Sequence, residues 1–333
     1  MSLATGYSMV KSFRRCQKQF ELKYIIGLQR KRPAAPLIRG TILHEMLHAR
    51  ATPKLKAGAV LAKYEAKFGE LFREERDEYG EDFLGDLKRV YDGYLREYGD
   101  DSDIKYEASE EKVEIDIGQI IVANKKHSLI YQGHLDKRLI TLEDERRWLM
   151  DHKTHKNIPD EQQRLNDYQI LMYLWAWNLG NPKKKADGII WDYLRTKPPT
   201  IPEPLVRGGL SQAKNCDTDV FTYLKEINRL KLDQKDYREY LAMLEKRQRG
   251  RFYQRIKLPS PSKGMTKIVV DDFIETSTQM HRTRHFCHNL TRDCSWCEFY
   301  RRCNAEVRGL DYKFIEKTEY EPSDRVAEFA EED

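Results

Sequence analysis

The tightest constraint on the fold is a pair of runs, residues 128–140 and 147–154, that read as strands on either side of a charged turn at 143–146. A period of two sends successive side chains to opposite faces of a strand, and so short a turn joins the runs as a hairpin. Upstream, Val113, Ile115 and Ile117 alternate with charges as a half-buried strand that Ile120, Ile121 and Val122 extend or follow. Downstream, Leu165, Tyr168, Leu171, Met172 and Trp175 recur at helical spacing over 163–179 until Gly180, Asn181 and Pro182 stop the helix. Residues 188–194 read as a strand again, ended by Lys197, Pro198 and Pro199. Strand, hairpin, helix, strand makes an α/β fold: a mixed sheet with a crossover helix.

The flanks divide by pattern. Residues 1–50 hold an N-terminal segment and a helix through Leu43, Met46 and Leu47. Residues 51–105 are charged and helical in period, with a stripe of Leu61, Tyr64, Phe68, Leu71 and Phe72, and read as an insertion over the 106–200 core. A helical and basic region (201–280), a cysteine-rich segment (281–310) and an acidic tail (311–333) follow, the tail expected to be solvated or disordered. The 59 Lys and Arg exceed the 54 Asp and Glu only slightly, a balance compatible with nucleic acid without demanding it. No run of about 20 apolar residues and no signal-peptide pattern is seen, so the expectation is a cytoplasmic protein without a membrane partner.

The hairpin also carries the chemistry. Asp151 and Lys153, two apart on one strand, face the same side, and Asp136, which ends Gly133-His134-Leu135-Asp136, meets them from its neighbour. Two close carboxylates repel unless a divalent cation sits between them, and all-oxygen ligation favours Mg²⁺ or Mn²⁺. Such an ion acidifies water and neutralises phosphate, while the Lys153 ammonium orients the water or stabilises charge on phosphorus. Those are the parts of phosphodiester hydrolysis. A competing pattern, His44-Glu45-Met46-Leu47-His48, fits the H-E-x-x-H of zinc proteases, but no further ligand follows at metzincin spacing.

Gly40-x-x-x-His44, Gly133-x-x-Asp136, Asp151-x-Lys153-Thr154 and Gln169-x-x-x-Tyr173, in that order, resemble the RecB-like branch of the PD-(D/E)XK nucleases over roughly residues 8–200. The resemblance implies a restriction-endonuclease-like mixed β-sheet core flanked by helices, with helical insertions and a C-terminal cysteine cluster. It makes His44, Asp136, Asp151 and the main-chain carbonyl of His152 the metal ligands and Lys153 the catalytic lysine, with Gln169 and Tyr173 positioning the lysine or a DNA end. The implied activity is a metal-dependent DNA exonuclease acting on single strands or duplex ends in recombination, repair or phage DNA processing. The expected partners are DNA and a helicase or recombination protein, since no P-loop is seen in the sequence. A silent nuclease-fold subunit that guides DNA or protein is the alternative from the binding class.

Cys294-x-x-Cys297-x₅-Cys303 supplies three thiolates in a compact turn. With one close pair in place of two, three ligands plus a distant fourth suit a [4Fe-4S] cluster better than zinc. Cys16 resembles the N-terminal ligand of the iron-sulfur members of that branch, among them the CRISPR-associated, AddB-type and phage exonucleases, although Gln17 stands where they usually have proline. Cys287 is a rival fourth ligand, and Cys216 reads as a plain thiol. Lys183 to Lys185, the 246–257 stretch with Phe252 and Tyr253, and Arg282, Arg284, Arg292, Arg301 and Arg302 are candidates for phosphate contacts and base stacking.

Overall fold

A computed structural model describes residues 2–323 except 53, 72, 81, 166 and 249. Phe72, Arg249 and the acids from Asp324 onward therefore lie outside the described residues. The central sheet has six strands: β1 (Ser2–Thr5), β3 (Ile104–Val122), β4 (Lys125–Thr141), β5 (Arg147–His155), β6 (Gly188–Arg195) and β7 (Tyr253–Pro259). β2 (Leu28–Arg30) pairs separately with β8 (Tyr320–Pro322). The strand read around Val113 to Ile117 runs on through Val122, and Ala123 and Asn124, both at positive φ, close a two-residue turn into β4. Paired positive φ values match the right-handed twist of the strands they join. The β4–β5 hairpin forms as expected, and α8 (Gln169–Gly180) crosses over to bring β6 parallel beside β5.

Because residues 152 and 154 point away from 151 and 153, the contacts of β5 sort the helices into two layers. α3 (Ala35–Ala51) packs where His152 and Thr154 point: the His44 and His152 rings meet edge to face at 6.0 Å, and a Cβ on Gly40 would stand 3.0 Å from Thr154 Oγ1. α4 (Ala57–Gly69) and α6 (Phe83–Tyr98) complete that layer around Leu43, Leu47, Tyr64, Phe68, Leu87 and Leu194. Tyr64 and Phe68 from the predicted stripe are buried here. On the other face α8 joins α11 (Lys263–Arg282) over Tyr131, Leu149, Trp191 and Phe273. α9 (Val220–Arg229) and α10 (Arg238–Gln248) form a satellite around Tyr223, Tyr240 and Leu244. No helix among the described residues is long and apolar enough to cross a membrane.

The structure corrects three expectations. The helix read over 163–179 is two, α7 (Glu161–Leu165) and α8. The basic stretch at 246–257 contains edge strand β7, antiparallel to β6. Part of the acidic tail is ordered: Tyr312–Glu319 forms a solvated helix, and Tyr320, which follows it, stacks on Phe299 with ring centroids 5.5 Å apart. Buried aromatic area at that stack outweighs the charge of its neighbours.

Candidate active site

One edge of β4 is bonded to β3 from Lys125 to Thr141. The other is divided: β1 takes Ser128 to Tyr131, and β5 takes Lys137 to Ile140. Residues 132–136 have no strand partner on that edge among the described residues, so the sheet forks there. Continuing the β4–β5 register would set Asp136 opposite Asp151. Instead the strands part, and Asp136 Oδ2 accepts the His152 backbone N–H at 2.7 Å. In a strand the N–H and C=O of one residue point to the same edge, so the His152 carbonyl also faces the fork.

The side chains predicted for the catalytic centre meet at this fork. Lys153 Nζ lies 2.7 Å from Asp151 Oδ2 and donates to Gln169 Oε1 at 2.6 Å; Gln169 Nε2 in turn donates to the Tyr173 hydroxyl at 3.0 Å. Gln169 opens α8 and Tyr173 stands one turn on, so a single helix face holds the lysine. From the opposite layer, His44 brings Nδ1 to 3.5 Å from Asp136 Oδ2. Gly133 has a steric reason to lack a side chain: a Cβ there would stand 2.6 Å from Tyr173 Cε1.

Electrostatics separate the two acids. Burial would raise the Asp136 carboxyl, yet the bond to His44 and the His152 N–H hold it well below the usual carboxylate range. Burial pushes Asp151 up to about 6, reinforced by the Asp136 charge and opposed by Lys153. Burial disfavours the Lys153 ammonium, but the Asp151 charge more than compensates and keeps it protonated. It therefore donates hydrogen bonds and positive charge and is no base. Glu110, which the sequence reading missed, stands with His44 on the wall of a cavity of about 820 Å³ beside the fork. Partial burial and the Asp136 charge push its carboxyl up to about 7. A second cavity of about 270 Å³, bounded by Gly6, Tyr7, Lys112, Gly133 and Tyr173, lies at the β1 side.

Two carboxylates, a carbonyl and an imidazole directed at one gap are a donor set suited to a hard divalent cation. As placed, the carboxylates close ion pairs with Lys153 and His44 instead. Among the described residues no group of three or more His, Cys, Asp or Glu side chains stands in an arrangement that holds a metal ion. The H-E-x-x-H pattern does not assemble a protease centre: Glu45 is engaged by Lys63 and Tyr64, each at 2.7 Å, and His48 Nδ1 bonds Ser109 Oγ at 2.7 Å.

Cys16, Cys294, Cys297 and Cys303 line one cavity of about 150 Å³, walled otherwise by groups such as Arg15, His288 and Tyr300. All are free thiols; burial raises Cys297, and burial with the neighbouring Cys297 pushes Cys303 up to about 12. Exposed Cys287 is not part of that wall, although its backbone bonds Gln17 and Lys18. Cys216 lies elsewhere, its carbonyl bonded by Arg247.

The basic candidates fare unevenly. Phe252 and Tyr253 are core residues, Tyr253 bonding the Val90 carbonyl, so neither stacks on a base. Arg251 pairs with Asp217, Arg255 is spent on Asp192 and Asp101, and Arg302 is buried between Glu306 and Glu316. Arg301 pairs with Glu319 at 2.6 Å. Lys183 to Lys185, Arg284 and Arg292 remain exposed.

No curated protein matches the chain. Fifteen chains of solved structures do; one, described as "Crystal structure of SSO0001", is 13% identical with a TM-score of 0.27, the match covering 74% of this chain and 80% of that one. A family model matches residues 5–304, a span that contains the whole fork and all its side chains, and the chain belongs to the PD-(D/E)XK nuclease superfamily.

Proposed function

We propose that this nuclease is a Mg²⁺- or Mn²⁺-dependent DNA exonuclease of the RecB-like branch, trimming single strands or duplex ends. The observation that carries the reading is the convergence of Asp136, Asp151 and Lys153 on one gap in the sheet. In this reading Asp136, Asp151, the His152 carbonyl and His44 hold the cation, which when bound supplies Lewis acidity toward phosphate and water. Lys153, kept protonated and steered by Gln169 and Tyr173, places positive charge against the developing negative charge of the phosphoryl group. A fork flanked by separate cavities on the His44 and Tyr7 sides suits a strand end better than uninterrupted duplex.

The four-cysteine cavity supports a [4Fe-4S] cluster held by Cys16, Cys294, Cys297 and Cys303. The thiols of Cys297 and Cys303, raised by burial and by a neighbouring cysteine, are donors that a cationic cluster neutralises, and three plus one is the spacing such clusters accept. Its role is structural, joining the helices Tyr7–Arg15 and Gln17–Phe20, which flank Cys16, to Tyr300–Val307, which carries Cys303. Action in recombination, repair or phage DNA processing, in the cytoplasm and beside a helicase, belongs to the same proposal.

End-labelled DNA incubated with Mn²⁺ and anaerobically purified protein tests this. Released mononucleotides that vanish on chelation and in Lys153→Ala or Asp151→Ala are expected. Binding without cleavage by wild type would make the chain a silent subunit. Iron content and visible absorption, lost on Cys294→Ser, report the cluster; a colourless zinc protein replaces that part of the proposal.

A further inference from the structure

Directly behind the fork lies a polar row, buried except for a half-buried arginine at its end, that the reaction does not use. Residues next to the fork's acids point to the opposite face, and there Lys137 on β4, His152 on β5, Asp192 on β6 and Arg255 on β7 follow one another, with His152 facing Asp192 and Asp192 facing Arg255 in register. Asp192 is wholly buried and saturated: it accepts His152 Nδ1–H at 2.7 Å, the Tyr94 hydroxyl at 2.6 Å and Arg255 Nε at 3.2 Å. Arg255 continues to Asp101 at 2.8 Å, which Arg50 also grips at 2.8 Å. Asp192 is thus tied to α6 and β7 and, through Asp101, to α3. Lys137, 1% exposed, has no hydrogen-bond acceptor and lies 4.8 Å from the Tyr106 ring.

The row matters because of what β5 has lost. Beyond Met150 it no longer pairs with β4, and its remaining ladder is the one to β6. A strand paired on one side alone holds its register and twist less firmly. We propose that Asp192 is a positioning residue, which clamps the His152 imidazole behind the sheet and so fixes the backbone of residues 151–153, carbonyl and acid alike, at the fork. The consequence for metal rests on the function proposed above; the clamp itself does not.

Hydrogen exchange on the metal-free protein reads the clamp directly. In Asp192→Asn, and in His152→Phe, which keeps the carbonyl but loses the link, amides 151–153 are expected to exchange on the order of tenfold faster than in wild type while those of β6 hold. If one variant fails to fold, the other carries the test. Asp217→Asn, which breaks a pair with Arg195 and Arg251 away from the fork, controls for general loosening and should leave those amides unchanged. Calorimetric Mn²⁺ titration is expected to show a Kd raised about 10–100-fold, as for other outer partners of metal ligands, with the metal concentration for half-maximal rate moving more than kcat. Wild-type exchange at 151–153 in folded variants overturns the clamp. Faster exchange with unchanged Mn²⁺ affinity upholds it and counts instead against the fork as a metal site.

Discussion

Gly133→Ala is the smallest change that reaches the lysine through the fold. The added Cβ would stand 2.6 Å from Tyr173 Cε1 and 3.4 Å from Tyr131 Cε1, against about 3.5–4.0 Å for carbon atoms in contact, so the Tyr173 ring must retreat by about 1 Å. Tyr131 is fully buried, so the ring that moves is Tyr173, which borders the cavity of about 270 Å³. Replacing a strand glycine by alanine gains about 0.5–1 kcal/mol of chain entropy, whereas overpacking costs about 1–3 kcal/mol. Overpacking wins, and a net loss of about 1–2 kcal/mol is expected in urea denaturation of the metal-free protein. The retreat pulls the tyrosine hydroxyl off Gln169, which then steers Lys153 less well; a displacement of about 1 Å at a reacting group costs on the order of 100-fold in rate. Adding Tyr173→Leu should restore part of the stability and none of the activity. A Gly133→Ala protein with wild-type midpoint and wild-type nucleotide release refutes the chain of contact from glycine to lysine.

Titration offers a second check. Asp151, raised to about 6, and Glu110, raised to about 7, bind their protons more tightly folded than unfolded. Their contribution to metal-free stability is full below about pH 4 and lost as pH rises through those values. Burial holds His152 and His281 down to about 4, which costs stability over the same range, so the acids are read by difference: the midpoint of metal-free wild type minus that of Asp151→Asn should grow as pH is lowered from about 8 to 5, while Asp136, shifted the other way, acts only below about pH 4. Since the cation needs ionised ligands, Mn²⁺ affinity should weaken by up to about tenfold per pH unit below 6, read by calorimetry. Glu45→Gln should keep nuclease activity within a few-fold, because Glu45 serves Lys63 and Tyr64; abolition would reopen the H-E-x-x-H reading. Phe20→Ala, at a position with no exposure between the first helices and Phe286, should cost about 3–5 kcal/mol by thermal or urea melting.

Much of the core was legible because periodicity decided it. The 128–154 hairpin and β6 follow from short runs bounded by a charged turn and by breakers, α8 from helical spacing, and the carboxylate pair with its lysine from strand parity. The fork was not. It depends on β1, four residues with almost no pattern, becoming a strand only because the exposed edge of β4 accepts it. β7 hid behind its charges: half-buried Arg255 is paired with two acids, so a base that read as part of a nucleic-acid surface is structural, while Lys257 stays exposed 5.8 Å from the Trp148 ring. The interleaved Phe252, Tyr253, Ile256 and Leu258 were the available signal. Glu110 escaped because its φ of 54° breaks the alternation on which strand reading relies. Asp192 was invisible for a different reason: its meaning lies in the residues opposite it on two other strands.

The small sheet that joins Leu28 to Pro322 closes a loop around almost the whole polypeptide. Loop-closure entropy must be overcome before that contact returns anything, so this pairing belongs among the slow events of folding. On dilution from denaturant, helical signal should recover well before the two ends dock. A newly made molecule would then acquire its cysteine-lined chamber only after the catalytic sheet is already in place.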